Sequence, residues 1–247
     1  MTGSRVVRTA LVIVAVVAAT FSAEPVLAED WDSEGFLYGW FYGVDGTVAA
    51  GDAASGFPVE ASVDDISEFK DFSMAVHFES KTSKAILLGD VQYLNLGAER
   101  DFELPSGITR GELDFKHWTF EAGGGYRVSE QFDLLGVGRL YQIQTSSTLG
   151  QNTISDKSRS WMDVFVGGRY TVSSGKFRSS VRADIGTGGS DFAWFANAMI
   201  GYRVSERMTL GLGYRILSVD YETGENANFF RYDVVQDGLG LALGLDF

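Results

Sequence analysis

The last ten residues constrain the fold more than any other part of the 247-residue chain. Small or acidic residues alternate there with five large apolar ones, which are Leu239, Leu241, Leu243, Leu245 and Phe247. A period of two is that of a β-strand, whose successive side chains point to opposite faces. A strand with an exposed row of leucines aggregates in water, so this face requires an apolar environment.

The same alternation recurs along the chain and predicts ten strands, with eight as the alternative. The predicted ranges are 35–49, 69–80, 84–97, 113–128, 132–146, 158–172, 176–187, 190–204, 208–222 and 229–247. After residue 28 no segment has the length and apolarity of a membrane helix. Because a membrane protein without such helices must close its sheet, the predicted fold is an all-β, closed antiparallel transmembrane barrel.

The N-terminal residues read as a targeting segment. Arg5 and Arg8 precede an apolar stretch from Ala10 to Ala19, which is too short to cross a membrane. Small or compact residues then lead to Ala28, after which cleavage is expected. We therefore predict a signal peptide over 1–28 and a barrel over 29–247.

The connections between the predicted strands alternate in length. Tight turns are expected at 81–83, 129–131, 173–175 and 205–207, and longer loops at 50–68, 98–112, 147–157 and 223–228, with a short exception at 188–189. This asymmetry is typical of short periplasmic turns and long extracellular loops. One predicted turn separates Arg127 from Arg139, and another separates Arg203 from Arg215. The two arginines of each pair face the same side of the sheet only if the turn between them has an odd number of residues.

Each predicted strand has an apolar face and a polar or small one. We expect Phe36, Tyr38, Trp40, Tyr42 and Val44 on the lipid face of the first strand. Interfacial aromatic girdles need tyrosine and tryptophan on that face, as predicted for Tyr38, Tyr42, Trp118, Tyr126, Tyr170, Trp194 and Tyr202. The lumen then receives a polar network of His77, Glu79, Asp90, His117, Glu121, Arg127, Arg139, Asp163, Arg169, Arg178, Arg182, Asp184, Asp191, Arg203 and Arg215. Since ten strands leave little interior space, a plugged or very narrow lumen is expected.

Composition excludes several classes of function. A net charge of −13 argues against a nucleic-acid partner, and the lack of cysteine excludes disulfides and thiolate chemistry. The two histidines, His77 and His117, lie at opposite ends of their strands and cannot share a zinc ion, so no metal or cofactor is predicted. Loose divalent-cation binding by loop acids remains open, at Asp52, Glu60, Asp64, Asp65 and Glu68, as does a capping helix over Ser62–Phe69.

A strand of alternating leucines that ends on Phe247 resembles the assembly signal of outer-membrane proteins, which implies recognition by the barrel-assembly machinery. Across nearly all of 29–247 the chain resembles the small bacterial outer-membrane barrels grouped with opacity, OmpA-like and OmpW-like proteins. The segments Val63–Ile66 and Gly89–Leu96 resemble a set of proteobacterial barrels that mostly lack an assigned activity. These families more often have eight strands. The resemblance implies outer-membrane lipids and lipopolysaccharide as surroundings and supplies no catalytic residue.

Two groups of outer-membrane enzymes offer partial resemblances. His117, Thr119 and Glu121 share the lumen face and resemble the site of the outer-membrane lipid A deacylases, which use a histidine–serine pair. Here the hydroxyl is threonine, the face is lumenal and not lipid-facing, and alternate strand residues lie about 6.6 Å apart. The omptin proteases need paired aspartates and an aspartate–histidine pair, for which Asp64 with Asp65 and Asp114 with His117 are weak counterparts. The leading hypothesis is a non-enzymatic barrel with a structural or surface-interaction role. A small-solute channel is the alternative, and a lipid A or peptide hydrolase the second one.

Overall fold

The computed structural model describes residues 31–50, 57–61, 72–104, 107–149, 152–226 and 229–247. The predicted signal peptide with Ala28, the predicted helix over 62–69 and the loop acids Asp52, Asp64, Asp65 and Glu68 lie outside these residues, as does the side chain of Glu60. No helix among the described residues is long and apolar enough to cross a membrane.

Eleven strands follow one another along the described chain. They are β1 (Asp32–Ala50), β2 (Phe57–Ala61), β3 (Phe72–Lys81), β4 (Ala85–Leu104), β5 (Gly107–Arg127), β6 (Phe132–Leu149), β7 (Asn152–Ser174), β8 (Phe177–Gly188), β9 (Phe192–Arg203), β10 (Met208–Thr223) and β11 (Phe230–Asp246). Ten of them form the wall of a closed antiparallel barrel, because β11 pairs with β1 as well as with β10. The predicted count of ten is confirmed for the wall.

The short strand β2 was not predicted. It pairs with β1 through Val44–Val48, beyond the point where the pairing of β1 with β3 ends at Tyr38. Its five residues include Pro58, which weakened the strand pattern in the sequence.

The barrel has a turn end and a loop end. At the turn end, tight turns join β3 to β4, β5 to β6, β7 to β8 and β9 to β10. Arg127 pairs with Asp133 and Arg203 with Thr209, so five residues lie between the partners of each pair, an odd number as predicted. Both chain ends of the barrel, at β1 and β11, lie at this end as well.

The expected loops over 98–112 and 147–157 are mostly strand. The β4–β5 pairing continues to Leu104 opposite Gly107, and the β6–β7 pairing continues to Leu149 opposite Asn152. Pairing within these hairpins satisfies backbone groups that a loop would leave to water. The predicted loops over 98–112 and 147–157 were therefore too wide.

The outer face carries a continuous apolar belt. Val166, Ile185 and Leu241 are more than half exposed, at 58%, 59% and 57%. Tyr126, Tyr170 and Tyr202 lie exposed next to the turns, and Trp118 lies exposed toward the loop end, as the girdle prediction required. Every residue of the C-terminal row also lies on this face, namely Leu239, Leu241, Leu243, Leu245 and Phe247.

The predicted faces of β1 were wrong. Trp40 and Val44 are buried at 6% and 3%, while Leu37 and Phe41 are about half exposed. Tyr38 also points inward, since its hydroxyl contacts the lumenal Asp90. The physical reason is the glycine-rich inner face of β11. A Cβ built on Gly240 would lie closer than 3.0 Å to the Trp40 ring, so the ring occupies the space that the missing side chain leaves.

Candidate functional site

The lumen holds the candidate site, and its turn-end part is a set of charge pairs. Arg178 donates to Glu34 at 2.7 Å, and Lys81 reaches the same carboxylate at 3.2 Å. One guanidinium, that of Arg169, bridges Glu79 and Asp133 at 2.9 Å each. Because each buried carboxylate has a cation beside it, the desolvation cost of these charges is offset within the network.

Arg127, at the end of β5 beside its turn, and His77, on β3, extend the same set. Arg127 lies 3.5 Å from Asp133 and donates to the carbonyl oxygen of Thr82 at 3.2 Å. The Nδ1 atom of His77 lies 3.2 Å from Asp90, and its Nε2 atom lies 3.9 Å from Glu79. Asp90 also accepts from the Tyr38 hydroxyl.

A second cluster crosses the middle of the barrel. Glu121 accepts from Arg139 Nε at 3.0 Å and from Arg182 Nη1 at 2.9 Å. Arg182 Nε also donates to Asp184 at 2.8 Å. The Phe195 ring lies among three guanidinium groups, those of Arg139, Arg182 and Arg215, at 4.8, 5.1 and 5.0 Å from the ring centroid. Stacking on an aromatic face stabilises guanidinium groups that are removed from water.

Aromatic side chains fill the lumen toward the loop end. The ring centroids of Trp161 and Tyr221 lie 4.1 Å apart, and those of Trp161 and Tyr141 lie 5.1 Å apart. Tyr232 and Phe230 pack against the same layer. Trp161, Tyr141 and Tyr232 are 3% exposed or less, so the described part of this aromatic layer is closely packed.

Asp163 belongs to the aromatic layer and not to the arginine network. Its carboxylate accepts from the backbone N–H of Ser190 at 2.8 Å and from the Ser190 hydroxyl at 2.7 Å. The indole N–H of Trp161 donates to the same hydroxyl at 2.9 Å. The expected arginine partner is absent among the described residues, and hydrogen bonds to Ser190 take its place.

The His117–Thr119 row is closer than predicted. The side chains turn toward each other, and His117 Nε2 lies 3.3 Å from Thr119 Oγ1. The other ring nitrogen, Nδ1, lies 3.2 Å from Gln236 Nε2. His117 and Thr119 are 2% and 4% exposed. The base and the hydroxyl are thus within reach of each other, while the histidine is enclosed by the aromatic side chains around it.

A cavity of about 190 Å³ lies on the turn side of these layers. Its deep wall includes Thr119, Glu121, Phe195 and Arg215, and its mouth includes Lys176, Arg178, Arg203 and Asp246 near the turns. The structure therefore gives the lumen a partly open half at the turn end and a filled half at the loop end.

The predicted lumenal residues fall into three groups. The first group forms the charge pairs and contains His77, Glu79, Asp90, Glu121, Arg127, Arg139, Arg169, Arg178, Arg182 and Asp184. The second group is buried nearby and contains His117, Asp163 and Arg215. The third group is exposed and contains Asp191 and Arg203. Arg203 lines the cavity mouth. Asp191 was misplaced, because it precedes β9 in the tight turn after Gly188 and stays in solvent beside Asp220.

Sequence reasoning missed Phe195, Gln236 and Ser190. Phe195 alternates with the polar Asn197 on the inner face of β9, but we read only polar residues as lumenal. Gln236 shares the inner face of β11 with Gly238 and Gly240, a parity that was available from the C-terminal row. Ser190 lies in a turn, where alternation gives no signal.

Comparison with known proteins returned structural likeness alone. No family model matches the chain, and no curated protein matches it. Similar solved structures include Ail of Yersinia pestis in complex with a heparin analogue, at 12% identity and a TM-score of 0.39, covering 87% of this chain and 99% of Ail. Another is Neisserial surface protein A, at 13% identity and a TM-score of 0.35, covering 88% of this chain and 97% of that one.

The outer membrane protease OmpT from Escherichia coli is similar at 8% identity and a TM-score of 0.46, covering 89% of this chain and 97% of OmpT. At such low sequence identities and TM-scores, no activity, ligand or partner of those proteins can be assigned to this chain. The belt supplies the independent argument, because a soluble monomer does not expose a contiguous apolar surface around its whole girth. The chain is a closed ten-stranded β-barrel of the outer-membrane type, with an apolar outer belt and a largely filled lumen.

Proposed function

We propose that this chain is an integral outer-membrane barrel that acts as a closed scaffold for surface interactions. The single observation that carries the proposal is the aromatic layer around Trp161 at the loop end of the lumen. Its members stack at 4.1 and 5.1 Å and are buried, which supports a lumen that solutes do not cross. A small-solute channel needs an open route across the lumen, and a scaffold does not.

The long hairpins support the interaction part of this role. Strands β5 and β7 have 21 and 23 residues. Crossing the hydrocarbon core takes about 9–11 strand residues, so roughly half of each strand extends past the belt. Because short turns face the periplasm in such barrels, the extended hairpins stand on the extracellular side. Lipopolysaccharide and divalent cations at the acidic loops are the partners that this placement favours.

Recording from planar bilayers tests the closed lumen. The purified barrel is expected to give no steady single-channel steps, whereas a double variant with Trp161→Ala and Tyr221→Ala removes the stacked layer and is expected to conduct. The matched control is Trp118→Ala, which removes an outward indole and leaves the bilayer silent. Steady steps from the unmodified barrel would refute the scaffold proposal in favour of a channel.

A hydrolytic role is the second candidate, since His117 lies 3.3 Å from the Thr119 hydroxyl. Aromatic side chains enclose His117, and the cavity that reaches Thr119 has a volume of about 190 Å³, which is small for a lipid or peptide substrate, so the scaffold is preferred. His117→Ala is expected to leave lipid A mass profiles and peptide cleavage unchanged. Loss of either activity in that variant would establish the enzyme instead.

The C-terminal row is proposed as the signal for the barrel-assembly machinery. Phe247 is 79% exposed, and its backbone N–H donates to the Ser33 carbonyl at 3.0 Å, where β11 closes on β1. Deleting Phe247 is expected to lower the amount of folded barrel in cells while the purified chain still refolds in detergent. Equal cellular levels of the deleted and full-length barrels would contradict this role.

A further inference from the structure

The turn-end cavity has two unlike walls. One wall, from β1, β9 and β10, carries the apolar or small residues Phe36, Trp40, Met199 and Gly211 beside the charged Glu34, Arg203 and Arg215. The other is charged and comes mainly from β3–β8, including Glu79, Glu121 and Arg169. A pocket that is partly apolar on one side and ionic on the other suits an amphipathic molecule better than a bare ion or a hydrocarbon.

The cavity exists because aromatic rings lie flat against glycines. A Cβ on Gly244 would lie 2.5 Å from the Phe36 ring, and one on Gly240 would meet the Trp40 ring as closely. Both rings therefore pack onto β11 and do not extend across the lumen. The space that they leave open is the cavity.

The volume limits the size of an occupant. Drug-sized ligands occupy pockets of about 300–1,000 Å³, whereas an apolar cavity of roughly 150 Å³ holds one benzene molecule. A cavity of about 190 Å³ therefore accommodates a single ring or an aliphatic body of that size, together with one small charged group.

The charge of the lining selects an anion. Seven basic and five acidic side chains line the cavity, although the chain as a whole carries a net charge of −13. The deep carboxylates Glu79 and Glu121 already have arginine partners. At the mouth, Lys176 and Arg203 form no ion pair with any described residue, although the Lys176 ammonium lies 5.8 Å from the centroid of the outward Tyr202 ring. An anion that enters from the turn end meets these two cations together with Arg178, which outnumber the single carboxylate of the mouth, that of Asp246.

We propose that this cavity binds a small amphipathic monoanion, a carboxylate on an apolar body about the size of one benzene ring. The body lies between Phe36 and Met199, and the carboxylate stays at the mouth with Lys176 and Arg203, where water still reaches it. Under the orientation proposed above, the ligand comes from the periplasm. The inference stands whether or not the loop end of the barrel conducts.

Calorimetric titration of the folded barrel in micelles tests the site, with empty micelles as the blank. Benzoate is the probe, benzamide is its neutral counterpart, and inorganic phosphate is the anion without an apolar body. Saturable binding of benzoate alone is the expected result. Equal binding of benzamide would reduce the site to an apolar cavity, and equal binding of phosphate would reduce it to an anion site. Either outcome, or no binding of benzoate, overturns the proposal.

Two variants locate the bound probe. The exposed pair Lys176→Gln with Arg203→Gln is expected to weaken benzoate binding by about tenfold, since two exposed ion pairs with the carboxylate are lost. The matched control pair, Lys84→Gln with Arg207→Gln, removes two exposed turn cations outside the cavity and is expected to change nothing. Met199→Trp fills the cavity and is expected to abolish binding. Unchanged binding in the Lys176 and Arg203 pair, or in Met199→Trp, contradicts the proposed pose.

Discussion

Individual residues in the barrel interior stabilise one another through ion pairs and cation–π contacts. Arg139 is 1% exposed, donates to Glu121, and stacks 4.3 Å from the centroid of Phe165. The sequence predicted that this arginine faces the lumen, because alternation assigns a face to each position. It did not predict Phe165 or Phe195 beside it, since alternation carries no information about which side chains meet across the barrel.

Removing the Arg139 charge is expected to destabilise the barrel. Arg139→Met leaves Glu121 with Arg182 as its remaining cation, and breaking a buried pair costs about 3–5 kcal/mol, here toward the lower figure because Arg182 stays. The free energy of unfolding in urea, measured in lipid vesicles, checks this value. Arg207→Met, in an exposed turn, is the matched control and is expected to stay within about 0.5 kcal/mol of the unmodified barrel. Equal stability of the two variants would contradict the interior network.

At the scale of elements, β1 shows what the alternation of residues along a strand predicts and what it does not predict. Alternation correctly divides β1 into two sets of side chains, but both sets contain large apolar residues. The two glycines of β11 that face Trp40 and Phe36 decide which set points inward. That information lies about 200 residues away in sequence and becomes usable only when β11 is known to pair with β1.

A charge on the outer face of β1 tests the corrected orientation. Leu37 is 50% exposed and lies between Leu243 and Val76 on the neighbouring strands, which are also exposed. Leu37→Arg is expected to cost about 2–4 kcal/mol, because the guanidinium faces hydrocarbon near the middle of the belt. Leu37→Met is the control and is expected to be close to neutral. An arginine that is tolerated at this position would restore the original assignment of the two faces.

Other strands were predicted well because their inner faces are polar. His77, Glu79, Arg169 and Asp184 all point inward, and burying them without partners in hydrocarbon would be expensive, so their faces were unambiguous. The candidate site was predicted less well. The aromatic layer combines residues of four strands, and the cavity combines residues of all ten wall strands. The turn residue Ser190 has no periodicity to reveal it.

The whole molecule combines three regions in one barrel. An apolar belt surrounds the wall, a charge network with a cavity occupies the turn end, and an aromatic layer closes the loop end. The two lumenal regions have different chemistry because the inner faces of the strands change from charged residues to aromatic ones along their length. This description of both lumenal regions requires that the belt residues face lipid and that the lumenal residues do not.

Tryptophan fluorescence in brominated lipid tests this claim most directly, because bromine quenches only those indoles that touch the acyl chains. Variants that each keep one tryptophan compare the outward Trp118 with the inward Trp40 and Trp161. Strong quenching of Trp118 and little quenching of Trp40 and Trp161 is the predicted result. Quenching of Trp40 or Trp161 as strong as that of Trp118, or no quenching of Trp118, would contradict a lipid-facing belt around a filled lumen.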